Sequence, residues 1–430
     1  MSTRLKDFQK AYVNLDLLPL QGQRELEKFR VTYGEDVLAE LEQLIEDDDS
    51  RDRKTIFAGH RGCGKSTLLS EFARRCEQGN YFVVLFSIAN TIEMSDVDHI
   101  NILFAIAVNL MAKAEQEDAE IKPALRQSLL DWFATKTQTV ASGAEVKGEV
   151  GFNLFTLIQN KLKAEASVRN ELKREFGRNV SELVAKINLI AAAIENATGK
   201  QVLVIIDDLD KLDLATVRDV YREHIKALFL PGFRIIYTTP IASLRDGPLR
   251  ATLISETDDQ IVEMQVAKLF KKVESRDQSP EEIGENRQKL CDVLDKRIGP
   301  ALMEPEIAEA IVLKSGGVLR ELIRLANKCC RICLRQVRRA ENAEEIMINQ
   351  AVFEQAVQDM RLDFEAPLGK ADYEILKTTY DNYEPEDPQA QAFLDLLHGL
   401  HVLEYRNGQI WYDLHPVVTD LLVIKEMIDG

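Results

Sequence analysis

The chain has 430 residues, which is enough for roughly two to four domains, each with its own core. Apolar residues make up 45% of it and charged residues 29%, as is typical of soluble globular proteins. Its net charge of −17 argues against a protein that mainly coats nucleic acid, because that task needs a dense basic face. Six cysteines are too few for a disulfide scaffold. No apolar run approaches the length of about 18 residues that a membrane span needs, so we expect a cytoplasmic protein.

The first 50 residues are predicted to be lead-in helices, and five strand-like segments follow them. Four of these segments are nearly continuous in apolar residues, as buried parallel strands are. Helical segments separate the strands, which is the alternation of an α/β fold. The sequence therefore predicts a core with a parallel five-stranded sheet, and its strands are TIFAG, YFVVLFSIA, VLVIIDD, FRIIYTT and QIVEMQV.

A long insert separates the second predicted strand from the third, over about residues 91–200. Most of it has helical periodicity, although EVKGEVGFN, residues 145–153, alternates as a strand does. An insert of this size in such a core either contacts partners or packs on the sheet. The sequence favours neither interpretation.

After residue 365, the sequence predicts two helices followed by a β-hairpin. Two helical segments, DYEILKTTYDNY and QAQAFLDLLHGL, precede two alternating segments, and the Asn407-Gly408 pair between these is a strong hairpin signal. Helices followed by a hairpin predict a winged helix over residues 366–430. Residues 370–430 contain four basic and twelve acidic side chains. We therefore expect this region to contact protein or nucleotide rather than DNA.

The segment GHRGCGKST matches the P-loop pattern, with Gly59 and Gly64 at the required spacing before Lys65 and Ser66. It follows a predicted strand and begins a helix, so its backbone N–H groups and the helix N-terminus can bind phosphate. Lys65 is expected to bridge the β- and γ-phosphates, and Ser66 to ligate Mg²⁺. The predicted cofactors are ATP or ADP with Mg²⁺, and the predicted binding residues of the loop are Gly59, His60, Arg61, Gly62, Cys63, Gly64, Lys65, Ser66 and Thr67.

A second acidic motif, VLVIIDDLD, ends a predicted strand. Asp207 is expected to hold Mg²⁺ through water, and Asp208 to orient or deprotonate the attacking water. An aspartate at the second position, where vigorous P-loop motors commonly carry glutamate, predicts slow hydrolysis. The alternative is a solvated cluster of acids at a strand end.

Further candidate residues follow the fourth predicted strand. A hydroxyl of Thr238 or Thr239 would lie beside the γ-phosphate, and we assign this catalytic role to Thr239; the alternative is an ordinary strand-end threonine. Arg245 and Arg250 lie where a ring-forming ATPase would place an arginine for its neighbour's nucleotide, and we assign that role to Arg250. Two arginines in a charged loop are also common without any such role.

A helical lid is predicted over residues 269–365, and SGGVLRELIRLA lies within it. Gly316 and Gly317 precede a helix that carries Arg320 in its first turn, from which this arginine could reach the phosphates. The alternative is a simple turn followed by a surface arginine.

The order of P-loop, IIDDLD, strand-end threonine, glycine-led lid helix and winged helix resembles the AAA+ and STAND superfamily. The acids Asp207, Asp208 and Asp210 and the DLHP segment resemble the STAND and NACHT branch. That resemblance implies that His415 touches the β-phosphate of ADP and locks a closed state; the alternative is that His415 only caps a helix before Pro416. GGVLRELIRL is closer to the lid motif of origin-recognition and transposition ATPases. The segments GHRGCGKST and IIDDLDKLD are similar to those of KAP-type P-loop ATPases.

These observations predict lead-in helices over 1–50, a P-loop ATPase core over 51–268, a lid over 269–365 and a winged helix over 366–430. The expected function is that of an ATP-binding, slowly hydrolysing switch that changes conformation or self-assembles. It would control a partner protein in bacterial defence or stress signalling, which is an analogy from fold. A nucleotide-dependent homo-oligomer is expected. The alternatives are an ATPase that loads or remodels DNA-bound complexes, which the charge disfavours, and a pseudo-ATPase scaffold.

Overall fold

Five strands form one sheet in the order β2-β3-β4-β1-β5. The strand β2 pairs in parallel with β3, from Tyr81 opposite Gln201 to Ser87 opposite Asp207, and β3 pairs in parallel with β4. Every residue of β1 and β4 is buried, which explains why these segments are continuous in apolar residues. The predicted five-stranded α/β core is confirmed, and its strands are β1 (Lys54–Gly59), β2 (Tyr81–Ser87), β3 (Gln201–Asp207), β4 (Arg234–Pro240) and β5 (Ile261–Met264).

The computed structural model describes residues 3–20, 22–46, 50–139, 149–272, 284–340, 342–406 and 408–429. The chain divides into two compact units. We call residues 37–58 and 69–263 the sheet unit. Residues 1–36, 59–68 and 264–430 are called the P-loop unit.

The helices alternate with the strands in the first half of the chain and dominate the second half. In chain order they are α1 (Thr3–Asn14), α2 (Gln23–Phe29), α3 (Glu35–Glu46), α4 (Lys65–Gln78), α5 (Ile88–Thr91), α6 (His99–Gln116), α7 (Pro123–Lys136), α8 (Glu149–Ala164), α9 (Ala166–Phe176), α10 (Val180–Thr198), α11 (Leu214–Arg218), α12 (Ile225–Leu228), α13 (Gly247–Thr257), α14 (Gly284–Arg297), α15 (Pro305–Lys314), α16 (Leu319–Val337), α17 (Gln350–Glu365), α18 (Lys370–Asn382), α19 (Gln391–His398) and α20 (Pro416–Ile424). No described helix is long and apolar enough to cross a membrane.

The insert forms a helical layer of the sheet unit. Its helix α6 is buried on nearly all sides and packs against α8, α10 and β2, while α10 also packs against β3. A helix that is apolar all round must be buried in this way. In the described residues, α6 and α10 therefore pack on the sheet, which is one of the two interpretations that the sequence left open.

The strand-like pattern of residues 145–153 is misleading. Residues 149–153 begin helix α8, and residues 145–148 lie outside the described part of the chain. Phe155, Ile158 and Leu162 of this helix are fully buried at helical spacing. The helical spacing of apolar residues along α8 therefore determines the structure of residues 149–153, and their short alternation does not.

Near the C-terminus, β6 (Val402–Arg406) and β7 (Ile410–Leu414) form an antiparallel hairpin. Val402 lies opposite Leu414, and Arg406 lies opposite Ile410. The hairpin that the sequence indicated is present, although Asn407 itself is outside the described residues. The order α18, α19, β6, β7, α20 is compatible with a winged helix, and that assignment stays a prediction.

Candidate functional site

The P-loop connects β1 to α4, as the motif predicts. Gly62 and Gly64 have φ angles of 82° and 107°, which residues other than glycine rarely adopt. The helix α4 then begins at Lys65, so its free N–H groups lie directly after the loop. A turn of this kind followed by a helix N-terminus is suited to binding phosphate.

Lys65 is buried, and its ammonium group lies within the loop. Its Nζ donates hydrogen bonds to the carbonyl oxygens of Gly59, at 3.1 Å, and His60, at 2.8 Å. Ser66 and Thr67 follow in the first turn of α4, and the Thr67 hydroxyl accepts a hydrogen bond from Leu20 N at 3.3 Å. The predicted phosphate-binding groups are therefore brought together in one loop of the P-loop unit.

The start of the lid helix α16 lies directly against this loop. Arg320 N donates a hydrogen bond to Gly62 O at 2.9 Å, and a Cβ added to Gly62 would lie 2.5 Å from Arg320 Cβ. The turn before the helix needs its two glycines. Gly316 and Gly317 have φ angles of 63° and 79°, and a Cβ on Gly317 would lie 1.8 Å from Ala267 O.

The C-terminal hairpin also contacts the P-loop. Glu404 N, in β6, donates a hydrogen bond of 2.9 Å to His60 Nε2. Because Nε2 is the acceptor, the ring is neutral and carries its proton on Nδ1. Tyr405, the next residue, donates from its hydroxyl to Gly316 O at 3.1 Å. Sequence reasoning missed the contact between His60 and Glu404, since no local pattern relates residues so far apart in the chain.

A cavity of about 680 Å³ opens within the P-loop unit beside the loop. Arg61 and Arg320 line it together with Phe364, Leu396 and Leu400. The lining also includes Arg324 and four acidic residues, so the cavity has the volume of a small-molecule site but a strongly charged wall. The sequence placed Arg61 and Arg320 near a nucleotide, and both lie at this cavity.

His415 caps helix α20. Its Nδ1 accepts a hydrogen bond from Val417 N at 3.2 Å, and its ring stacks on Phe364 with the ring centroids 4.5 Å apart. The side chain is fully buried, and this burial, together with the neighbouring His401 and Lys314, lowers the pKa of His415 to about 3. The residue therefore has the capping role that the sequence left open, and its predicted contact with ADP stays a prediction.

His415 should make the stability of the protein depend on pH. Its pKa is about 6.5 in the unfolded chain and lower in the folded one, so its contribution is present above pH 6.5 and is lost as the pH falls below it. Between pH 7 and pH 5, the free energy of unfolding should fall by about 2 kcal/mol more in the wild type than in His415→Asn. Urea unfolding at both pH values measures this difference. An equal fall in both proteins would contradict the prediction, and His224→Asn, at a half-buried site of the sheet unit, is the control.

The acidic motif lies at the end of β3 in the sheet unit. Carboxylate oxygens of Asp207, Asp208 and Asp210 lie within 4.8 Å of one another, and all three residues are buried. In the described part of the chain, this is the group of side chains that could hold a metal ion. Oxygen ligands so close together suit Mg²⁺, so the donor set fits the predicted cation.

Asp208 is held more tightly than the sequence indicated. Its φ angle of 70° is left-handed, its Oδ2 accepts a hydrogen bond of 2.6 Å from the Ser87 hydroxyl, and its Oδ1 forms an ion pair of 2.5 Å with Lys211 Nζ. Its backbone N–H donates to Asp207 Oδ1 at 2.8 Å. Sequence reasoning missed both Ser87 and Lys211, although Ser87 ends the neighbouring strand.

The two strand-end threonines have different partners. Thr238 Oγ1 donates to Ile206 O and accepts from Leu209 N, both at 3.0 Å, so it fixes the backbone that follows β3. Thr239 Oγ1 donates to the Ser243 hydroxyl at 3.1 Å. Both are fully buried, and the sensing role predicted for Thr239 stays a prediction.

The two candidate arginines, Arg245 and Arg250, differ in solvent exposure. The side chain of Arg245 is only 7% exposed, and its guanidinium group lies 3.4 Å from a carboxylate oxygen of Glu263. Arg250 is exposed on α13. Of the two, Arg250 has the accessibility that action on a neighbouring subunit requires, and this role stays a prediction.

The observed groups fit a nucleotide with Mg²⁺. In the P-loop unit, the loop N–H groups, Lys65 and Ser66 would bind the phosphates. In the sheet unit, Asp207 would hold the metal. A bound nucleotide supplies the phosphoanhydride bond to be cleaved. The chain supplies positively charged groups for the phosphates and a buried carboxylate cluster for the cation.

Comparison with known proteins agrees with these motifs. A family model for the AAA ATPase domain matches residues 32–228, and no curated protein matches the chain. The Aeropyrum pernix ORC2 protein in its ADPNP-ADP complexes is 12% identical, with 96% of this chain and 98% of that chain covered and a TM-score of 0.38. Aeropyrum pernix ORC1 in complex with DNA is 13% identical, with 97% of each chain covered and a TM-score of 0.40. A RuvB variant from Thermotoga maritima is 14% identical, with 96% and 99% covered and a TM-score of 0.39.

The domain match covers the P-loop, the acidic motif of β3 and the helical insert between them. It supports the AAA+ part of the resemblance that these motifs carried, and the STAND part stays a prediction. Residues 32–228, a little less than half of the chain, are similar to the AAA ATPase domain.

Proposed function

We propose that the protein is an ATP-binding, slowly hydrolysing switch whose lid and C-terminal hairpin respond to the nucleotide on the P-loop. The response changes its conformation or its self-assembly and controls a partner protein. Bacterial defence or stress signalling is the setting that the STAND-like motifs favour. One observation carries the proposal: the P-loop is hydrogen-bonded both to the lid and to the hairpin, through Gly62 with Arg320 and through His60 with Glu404.

These two hydrogen bonds supply the coupling that a switch needs. A ligand shifts a conformational equilibrium only if its contacts differ between the two states. Phosphate binding engages the same loop that the lid and the hairpin contact, so it competes with or reinforces those contacts. Each hydrogen bond contributes about 0.5–1.5 kcal/mol, which is the size of a typical coupling free energy between sites.

Slow hydrolysis is supported by the environment of Asp208. Its carboxylate is engaged by the Ser87 hydroxyl on one oxygen and by Lys211 on the other. A carboxylate held on both oxygens must give up one of these partners before it can act on a water. The role that we propose for Asp208 is therefore to orient water beside a cation that Asp207 holds.

The first test is the nucleotide content of the purified protein, measured by heat release and chromatography. We expect the wild type to retain ADP or ATP. Exchange of bound nucleotide for a fluorescent analogue should be about 3- to 10-fold faster in His60→Ala, because one hydrogen bond between loop and hairpin is lost. His415→Ala should also accelerate exchange if this histidine touches the β-phosphate.

His224→Ala is the matched control, since this histidine is half-buried in the sheet unit, outside the P-loop unit, and it should exchange at the wild-type rate. A protein that purifies without nucleotide and binds none when ATP and Mg²⁺ are added would refute the proposal. Unchanged exchange in His415→Ala would remove His415 from the mechanism and leave His60 as the link to the hairpin.

The alternative, an ATPase that acts on DNA-bound complexes, makes a different prediction. Its ATP hydrolysis should increase several-fold when duplex DNA is added. The four basic and twelve acidic residues between 370 and 430 oppose phosphate contacts by that region. DNA-stimulated turnover would nevertheless favour this alternative over the switch.

A further inference from the structure

A groove of about 620 Å³ runs between α1 and the C-terminal half of α16, entirely within the P-loop unit. Among the described residues that line it, none is acidic, although acidic residues outnumber basic ones in the chain as a whole. Its lining residues are Gln9, Tyr12 and Val13 from α1, and Arg331, Leu334, Arg335 and Arg338 from α16.

The three arginines of this groove are exposed, and in the described part of the chain they form no ion pair. Arg331, Arg335 and Arg338 follow one another at i, i+4 and i+7, so they share one face of α16. The opposite face is buried and includes Cys329, Cys333 and other apolar residues. Three arginines on one face of a protein with a net negative charge make a local positive patch, which attracts an anionic partner.

The groove also has an apolar component. Tyr12 is 40% exposed and Val13 is 70% exposed. Arginine and tyrosine are enriched at protein interfaces, where aliphatic residues supply the buried area. A phosphate backbone would use the arginines but would leave the aliphatic side chains uncovered. The composition therefore favours an acidic protein segment as the occupant.

The chain itself carries a complementary segment. The connection between α18 and α19 contains Glu384, Glu386 and Asp387, which are exposed and, in the described structure, form no ion pair. Pro385 and Pro388 restrict the backbone around these acids, so little conformational entropy is lost when the segment is bound. We call residues 384–387 the acidic loop.

We propose that the arginine groove binds the acidic loop of a second copy of this chain. The acidic loop is not among the residues that line the groove of its own chain, so the contact joins two molecules. It uses two different surfaces, which makes it a head-to-tail contact that closes into a ring or extends as a filament. This proposal identifies the interface for the self-assembly that is part of the proposed function. It rests on that self-assembly and not on the response to nucleotide.

Charge reversal tests this interface directly. One variant carries Arg335→Glu and Arg338→Glu in the groove, and the other carries Glu384→Lys and Glu386→Lys in the acidic loop. Sedimentation velocity over a range of protein concentrations, with and without ATP, measures self-association. We expect the wild type to associate, each variant alone to associate at least 10-fold more weakly, and an equimolar mixture of the two to recover association. Recovery is expected because each reversed surface then meets its reversed complement.

The matched control is Lys122→Glu with Arg178→Glu, which changes the net charge by the same amount at exposed positions of the sheet unit. This control should associate as the wild type does. The proposal is overturned if the wild type stays monomeric, if the control weakens association equally, or if the mixture fails to recover it. It is also overturned if the groove variant associates normally but loses binding to a fluorescent 20-nucleotide single strand, since the groove would then serve nucleic acid. Nucleotide content is measured separately, so failure here leaves the switch itself untouched.

Discussion

Lys65→Ala is expected to lose bound nucleotide and to reduce ATP turnover by at least about 100-fold. The ammonium group of Lys65 is buried in the P-loop, where its positive charge is needed at the phosphates and where water cannot replace it. Removing one preorganised charge-stabilising group from a catalytic site commonly costs this much or more. Nucleotide content and phosphate release in the presence of Mg²⁺ measure the two effects.

Lys122→Ala is the control for this variant, because it removes an exposed lysine from the sheet unit. It should retain both nucleotide and turnover. Lys65 also donates hydrogen bonds to Gly59 and His60, so circular dichroism and thermal unfolding must show that Lys65→Ala is folded. Wild-type turnover in a folded Lys65→Ala protein would mean that the P-loop is not the site of hydrolysis.

Gly317→Ala is expected to lower the free energy of unfolding by more than about 3 kcal/mol. Two costs add at this position: a left-handed backbone, which costs about 1–3 kcal/mol for other residues, and a steric overlap. The new Cβ would lie 1.8 Å from Ala267 O, and Ala267 N donates a hydrogen bond to Gly317 O, so the backbone on both sides must shift. Urea unfolding followed by circular dichroism measures the loss.

Gly199→Ala separates the two costs. Gly199 has a similar φ of 69°, but a Cβ there would meet nothing within 4 Å. This variant should lose only about 1 kcal/mol, the cost of the left-handed conformation alone. Equal losses in Gly199→Ala and Gly317→Ala would show that the overlap with Ala267 is relieved without cost. The lid should also loosen in Gly317→Ala, with faster nucleotide exchange, because the turn positions Arg320 on Gly62.

Local patterns predicted much of the fold. Four of the five strands were recognisable because they are nearly continuous in apolar residues, as β3 is, which is buried on both faces. The P-loop was recognisable because its glycines and Lys65 act within one turn of the chain. The C-terminal hairpin, β6 with β7, was recognisable because a short loop determines it. The strand-like alternation of residues 145–153 was misleading because a pattern of a few residues competes with the longer helical period of α8.

Local sequence patterns did not predict the contacts between segments that are distant in the chain. The hydrogen bond from Glu404 to His60, the Ser87 hydroxyl on Asp208 and the groove between α1 and α16 each join residues far apart in the chain. Nothing in the local sequence marks these partners, since a glutamate backbone N–H and a strand-end serine are common everywhere.

By itself, the sequence determined the phosphate-binding loop, the carboxylates of β3 and the kinds of elements around them. Only the tertiary structure decided the strand order β2-β3-β4-β1-β5, the capping role of His415 and the contact of lid and hairpin with the P-loop. The physical reason is that local conformation depends on steric and hydrogen-bonding preferences within a few residues. The pairing of distant segments depends instead on how all the apolar faces of the chain are buried together.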